Sequence, residues 1–298
     1  MSTTPLVSIN CITYNHAPYI KQCLDGFLMQ KTNFYFEILI HDDASTDGTT
    51  EIIKKYETKY PNLIKPIYQK ENQWSKGVRS ISAKYNFPRA KGKYIAMCEG
   101  DDYWTDPLKL QKQVDFLEEN EDVSLAFHPV KVYYEANSKE TTGFIKLNQR
   151  IYTGKEIIQN WTIPTVSVMF INKHFEIINL RLLNKDYIYG DIILFLSLAE
   201  YGKLYCLKDN MAIYRRHAEG ITQKKEPLFL EKLYKHREAI ANDFNGKYSF
   251  LKKEELSYAY FSLALNYIKK FKLKGVIFLL KSILFNPNAM FSYLKTKI

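Results

Sequence analysis

Along the first hundred residues, apolar positions switch repeatedly between a strand period and a helix period. Leu6-Val7-Ser8-Ile9-Asn10-Cys11-Ile12 reads as a strand, and Ile20, Cys23, Leu24, Phe27 and Leu28 then fall on one face at helical spacing. Pro18 suits an early position in that helix. Phe36 to His41 is a second strand, and Ser45 or Thr46 caps a helix over 49–60 that Pro61 stops. Residues 63–68 form a short third strand, 78–90 a helix, and the apolar run Tyr94 to Cys98 a buried fourth strand. Further on, Leu110, Val114, Phe116 and Leu117 mark a helix, while Val123 to Phe127 and Pro164 to Ile171 mark strands. Residues 191–201 form an apolar helix ended by Gly202, and 131–160 are less regular. Strands alternating with helices at this spacing predict right-handed βαβ units and a parallel, Rossmann-like sheet.

From about Pro227 the pattern becomes wholly helical. Leu256, Tyr260, Leu263, Ala264, Tyr267 and Ile268 make one stripe; Val276, Leu279, Leu280, Ile283 and Leu284 make another, stopped by Asn286-Pro287. The pair resembles a helical hairpin of the tetratricopeptide kind, although one unit does not make a repeat. The expected organisation is therefore an α/β domain over 1–225 and a helical region over 226–298.

Composition narrows the class. A chain of 298 residues fits one large domain, or one domain with an appendage, and 46% hydrophobic with 25% charged residues describes an ordinary globular protein. The formal charge of +10 suggests an anionic partner. Cys11, Cys23, Cys98 and Cys206 are widely spaced, as buried thiols of a reducing compartment are, and form no CxxC pair. No basic-then-apolar leader opens the chain, and no apolar stretch reaches the ~18–20 residues that span a bilayer. A cytoplasmic protein, peripheral at the inner face of a membrane, is expected.

The candidate chemistry gathers where the fourth strand ends. Glu99, Asp101 and Asp102 supply three carboxylates within four positions, with Gly100 allowing a sharp turn. An isolated Asp-Asp is ordinarily an acidic surface turn. At a strand end, however, it lies at the mouth of an open α/β sheet, where ligands bind. Carboxylates that close repel one another unless a hard cation or a ribose hydroxyl shares them. There is no G-x-G-x-x-G after the first strand, which disfavours a dinucleotide fold. The turns after strands one and two instead offer Thr13, Tyr14, Asp42 and Asp43: Tyr14 as a stacking face, Asp43 as an acceptor for a base N–H. The plainer reading of Asp42 to Asp47 is an Asx-type turn and helix cap.

Val7-Ser8-Ile9 with Thr13-Tyr14-Asn15, Asp42-Asp43-Ala44-Ser45-Thr46-Asp47-Gly48-Thr49, Ala90-Lys91-Gly92-Lys93-Tyr94-Ile95 and Glu99-Gly100-Asp101-Asp102 stand in an order and spacing that resemble family-2 glycosyltransferases. The resemblance covers roughly residues 5 to 222. It implies a GT-A fold, with a mostly parallel mixed sheet flanked by helices and a C-terminal helical appendage. It also implies a nucleotide-sugar donor, most often UDP-linked, a divalent cation (Mn²⁺ or Mg²⁺), and a glycan or lipid-linked acceptor whose site residues 131–160 would vary. By that similarity Thr13, Tyr14 and Asn15 lie at the donor, Asp43 binds the base, and Asp101 and Asp102 hold ribose and metal. The chain departs from the family in carrying Glu99-Gly100 where many members have Asp-Ser. It also carries Ser82-Ala83-Lys84-Tyr85-Asn86 where members commonly have Ala-Arg-Asn; Lys84 and Arg79 are candidates for the diphosphate.

The resemblance extends to the second half. Asp191 opens the apolar helix where family members carry their catalytic base, usually as Glu-Asp; here Gly190 replaces the Glu. A helix N-cap explains an aspartate there equally well. As general base Asp191 would deprotonate an acceptor hydroxyl in one inverting displacement. Arg215-Arg216-His217 resembles the family's Arg-x-His segment, which implies His217 as a metal ligand and Arg215 or Arg216 on phosphate oxygens. A lone histidine is more commonly a surface residue. Beyond Glu255 there is no acidic residue, while Lys269, Lys270, Lys272, Lys274, Lys281, Lys295 and Lys297 interleave with Phe271, Phe278, Phe285, Phe291 and Tyr293. That suits an anionic membrane surface; a solvated lysine face on a packed helix is the rival. Two other functions compete: a nucleotidyltransferase of related fold, which would want a glycine-rich basic loop after strand one, and a nucleic-acid-binding protein, which has no use for four aspartates. No nucleic-acid partner is therefore expected. The sequence does not fix whether the chain forms a homodimer.

Overall fold

Residues 4–143, 147, 149–160, 163–173, 175–184, 186–218, 227–269 and 273–288 are described in the computed structural model. Residues 219–226, with Lys270, Phe271, Lys272 and everything from 289 onward, lie outside them. The chain divides into two compact units: Met1–Lys185 with Tyr189–Gly220, and Asp186–Ile188 with Ile221–Ile298.

The first unit begins with β1 (Val7–Thr13), α1 (Ile20–Leu28), β2 (Phe36–Asp42), α2 (Thr49–Lys59), β3 (Ile64–Tyr68) and β4 (Tyr94–Met97). It continues with β5 (Tyr103–Trp104), α3 (Lys109–Glu119), β6 (Val123–Phe127), β7 (Lys131–Tyr134), β8 (Lys139–Thr142), β9 (Ile151–Tyr152) and α4 (Gly154–Asn160). It closes with β10 (Met169–Ile171), α5 (Phe175–Leu182), α6 (Gly190–Leu198), β11 (Lys203–Cys206) and β12 (Ala212–Arg216). An eight-stranded sheet runs β3-β2-β1-β4-β10-β6-β11-β9, and a four-stranded one β5-β12-β7-β8. β1 pairs in parallel with both β2 and β4, whereas β10 enters antiparallel between β4 and β6. The sheet is thus mixed, with a parallel core. β1 and β2 are buried along nearly their whole length, as parallel strands covered by helices are. Ile9, Cys23, Phe27, Ile38 and Ala96 join one core, and all four cysteines are buried and free.

Two sequence expectations change. The continuous helix over 78–90 is instead a π-turn, Ser82–Asn86, followed by a 3₁₀ turn, Phe87–Arg89. Pro88 lacks an N–H to continue an α-helix. The Asn86 amide donates to Asn10 Oδ1 (2.9 Å) and to the Cys11 and Leu39 carbonyls (3.1 and 3.2 Å), pinning the turn to β1 and β2. Strand Pro164 to Ile171 shortens to β10 because Thr165–Ser167 form a 3₁₀ turn.

The second unit holds α7 (Pro227–Asn242), α8 (Ser257–Ile268) and α9 (Lys274–Phe285). α8 and α9 pack closely: a Cβ on Gly275 would meet Ile268 Cγ1 at 2.7 Å, and Ser282 Oγ donates to the Ser257 carbonyl at 2.7 Å. Phe278 stacks on Tyr260 between them. α9 therefore turns Gly275, Phe278 and Ser282 inward, and the aliphatic stripe noted in the sequence faces out. No helix of the described residues is long and apolar enough to cross a membrane.

Candidate active site

In a parallel sheet the carboxyl ends of neighbouring strands share one edge, so the turns after β1, β2 and β4 meet. The Asp43 N–H donates to the Thr13 carbonyl (3.0 Å) and the Gly100 N–H to the Ile12 carbonyl (2.9 Å). Gly100 is required by this closeness: a Cβ there would sit 2.7 Å from Thr13 Oγ1 and 2.8 Å from Thr13 Cβ. That accounts for glycine where a serine would collide. Thr13 Oγ1 is buried with no hydrogen-bond partner among the described residues.

The acidic turn is held from β12. Asp102 Oδ1 accepts the Arg215 N–H at 2.7 Å, and Arg215 Nε donates to the Asp101 carbonyl at 2.8 Å. The other guanidinium nitrogens reach Glu135 and Gln22 Oε1, and the plane lies 4.8 Å from the Tyr19 ring. Arg215 is buried and engaged on every donor nitrogen, so it braces the turn as placed. Arg216, next on the strand, is exposed with its guanidinium 5.7 Å from the Tyr134 ring.

At the centre of the turn, His217 Nε2 lies 3.0 Å from Asp101 Oδ2, and His16 Nε2 lies 3.8 Å from the same oxygen. One ligand atom from each of His16, Asp101 and His217 fits within 4.8 Å of the others. Asp101 Oδ1 and Asp102 Oδ2 are buried without hydrogen-bond partners among the described residues. Buried, unpartnered carboxylate oxygens are costly unless a cation or donor completes them. Imidazole nitrogens and carboxylate oxygens in one cluster suit a divalent metal. Burial acts to raise the Asp101 carboxyl, but His217 and His16 outweigh it and hold it below its usual range. Burial, and then the Asp101 charge, push Asp102 well above it.

Asp191 joins from α6. It sits in the first turn of that helix, one residue inside its start, with Oδ1 accepting the Ile192 N–H at 2.8 Å. Burial raises its carboxyl to about 6. Gly190 leaves room for Ser80, whose Oγ would lie 3.1 Å from an added Cβ. Glu99 links the acids: burial, then the charges of Asp101 and Asp191, push it to about 8. Its folded pKa lies above the unfolded 4.5, so the folded state keeps a proton that the unfolded state releases. Stability from this group is complete below pH 4.5 and is lost as pH rises through 8. Glu99→Gln in metal-free protein is therefore expected to raise the melting temperature by an amount that widens from pH 4.5 to 8 and then levels off. A gap that stays constant across melts in that range would contradict this.

The remaining sequence candidates take other places. Both Asp43 oxygens accept backbone N–H groups, from Gln73 (2.7 Å) and Trp74 (3.0 Å), folding residues 72–75 over the end of β2. Asn15 laces the first two turns together, its N–H on Ser45 Oγ and its Oδ1 accepting from Thr46 N–H, each at 2.9 Å. Tyr14 is 45% exposed, which leaves its ring face open at the same edge. Lys84 is exposed beside Tyr85, and Arg79 lies over Trp74. Asp101, Asp102 and Asp191 thus share one electrostatic cluster through Glu99, while Asp43 stands across Thr13 from it. His16 is the residue that sequence reasoning missed. The available signal was the pairing of β1 with β4, which sets the turn three residues past Thr13 against the acidic turn.

Comparison with known proteins bears on the family and the fold. The profile of Glycosyl transferase family 2 matches residues 8–188. An uncharacterized protein of Mycobacterium tuberculosis is 40% identical over 221 residues, covering 72% of this chain and 60% of its own length. The chain thus spans about 60% of that relative. The Escherichia coli enzyme WfaP, a UDP-Glc:alpha-D-GlcNAc-diphosphoundecaprenol beta-1,3-glucosyltransferase, is 38% identical over 113 residues, or 38% of this chain and 41% of that one. Among solved structures, TarS (residues 1–349) of S. aureus in complex with UDP-GlcNAc superposes with a TM-score of 0.65 at 18% identity, covering 95% of this chain and 81% of that one.

Proposed function

The chain belongs to glycosyl transferase family 2 and has a GT-A fold, and on that premise we propose a metal-dependent, inverting transfer of a hexose or N-acetylhexosamine from a UDP-sugar to a hydroxyl of a glycan or lipid-linked acceptor. Membership of that family favours glycosyl transfer over nucleotidyl transfer and over a role as a nucleic-acid-binding protein. The observation that carries the finer reading is the convergence of His16, Asp101 and His217 on one point, beside two buried carboxylate oxygens that lack partners. His16, Asp101 and His217 would hold a divalent ion with Asp102 adjacent. When bound, such an ion neutralises charge on the departing diphosphate.

The chain's own residues supply the rest. Arg215 keeps Asp101 and Asp102 facing the cleft through its bonds to the turn. Thr13 Oγ1, Tyr14 and Asp43 line the donor side of the edge. Asp191 takes the proton of the acceptor hydroxyl as it attacks the anomeric carbon, and a single displacement turns an α-linked donor into a β-linked product. Polysaccharide assembly is the setting that the relatives support.

The test is a panel of UDP- and GDP-sugars titrated into the protein with Mn²⁺, with Mg²⁺, or with chelator. Binding of a UDP-sugar that appears with metal and vanishes with chelator is expected. Equal binding in chelator, or binding of no nucleotide sugar, would count against the reading.

A further inference from the structure

Helix α9 turns small residues and one aromatic toward α8 and its aliphatic residues away from it. Its inward positions are small or single: Gly275, Phe278 and Ser282. Its outward positions carry Leu273, Val276, Ile277, Leu280, Ile283 and Leu284, between 47% and 87% exposed. These six fall at i, i+3, i+4, i+7, i+10 and i+11, one continuous stripe along the helix. Scattered exposed aliphatics are normal on a protein surface, but a contiguous stripe marks an interaction site.

Charge decides between occupants. From Leu256 to Ile298 the chain carries seven lysines and no acidic residue. Two copies meeting through α9 would bring two such segments together, and like charge opposes that pairing. An anionic lipid surface offers what both features require: apolar depth for the stripe and negative headgroups for Lys269, Lys270, Lys272, Lys295 and Lys297. Two of the lysines, Lys274 and Lys281, already bridge Glu231 and Glu238 on α7 at 2.6 and 2.7 Å. Those bridges leave the aliphatic stripe to face outward. We propose that the outer face of α9 docks the protein on an anionic bilayer, with its aliphatic stripe in the headgroup–acyl boundary.

The experiment sediments the full chain with vesicles of mixed phosphatidylglycerol and phosphatidylcholine, and with phosphatidylcholine alone. The parent is expected to bind the anionic vesicles and to release as salt rises. Leu280→Ser with Leu284→Ser is expected to weaken binding about tenfold or more, because apolar contact scales with area. UDP-sugar turnover in solution should be unchanged, since neither residue is in the catalytic cluster. Thermal melts check that each variant is folded, and Val276→Ser with Ile277→Ser gives a second pair. Equal vesicle binding by folded variants would overturn the proposal, as would no binding by the parent. A concentration-dependent dimer that the substitutions dissolve, without vesicle binding, would assign the face to a second copy and overturn it as well.

Discussion

Asp191→Asn is expected to lower sugar transfer by about 10²–10⁴-fold while leaving UDP-sugar affinity unchanged. The amide keeps the shape of the carboxylate but cannot take the acceptor proton. The same residue fixes the pH profile. Burial holds its carboxyl at about 6, so the base is ionised above that pH and protonated below it. Transfer by the parent should fall roughly tenfold per pH unit below about 6, whereas the residual rate of the asparagine variant should lack that step. Steady-state rates across pH, with donor affinity measured separately, check both points. Full turnover by the variant would remove Asp191 from the mechanism and leave it as a residue of the first helical turn.

The second large effect concerns the cation. His217→Ala and His16→Ala are each expected to weaken Mn²⁺ binding in the presence of UDP by at least about tenfold. Asp101→Asn should do so too, because that carboxylate stands between the two rings. Two imidazoles also bias the site toward Mn²⁺ and later transition ions over Mg²⁺, which prefers an all-oxygen shell. Calorimetric titration of each metal into the parent and the three variants gives the comparison. Unchanged Mn²⁺ affinity in His16→Ala would reduce that residue to a wall of the cleft.

Much of this architecture was legible in the order of apolar residues. The strands ending at Thr13, Asp42 and Met97 could be read from short buried runs, because strands in a parallel core are apolar on both faces. The turn carrying Asp101 and Asp102 was legible for the same reason, since it directly follows such a run. What escaped depends on contacts between distant parts of the chain. His16 has no local signature; it gains meaning only when β1 and β4 pair and bring it to Asp101, and when β12 adds His217. Arg215 reads as a phosphate ligand from its neighbours, yet Asp102, Glu135, Gln22 and Tyr19 surround it in three dimensions. The π-turn at Ser82–Asn86 is set by Asn86 reaching across two strands, which helical periodicity does not register. The stripe on α9 was visible as a pattern, but its direction was decided by Gly275 and Ser282, the small residues that let α8 approach.

Two histidines and the aspartate turn, as proposed above, hold one divalent ion for a nucleotide diphosphate. Pulsed electron paramagnetic resonance on the Mn²⁺–UDP complex tests it most directly, because imidazole nitrogen bound to the ion modulates the echo. Nitrogen coupling from two imidazoles is expected in the parent, reduced to one in His16→Ala and in His217→Ala. A Mn²⁺ spectrum with no directly bound nitrogen would contradict it.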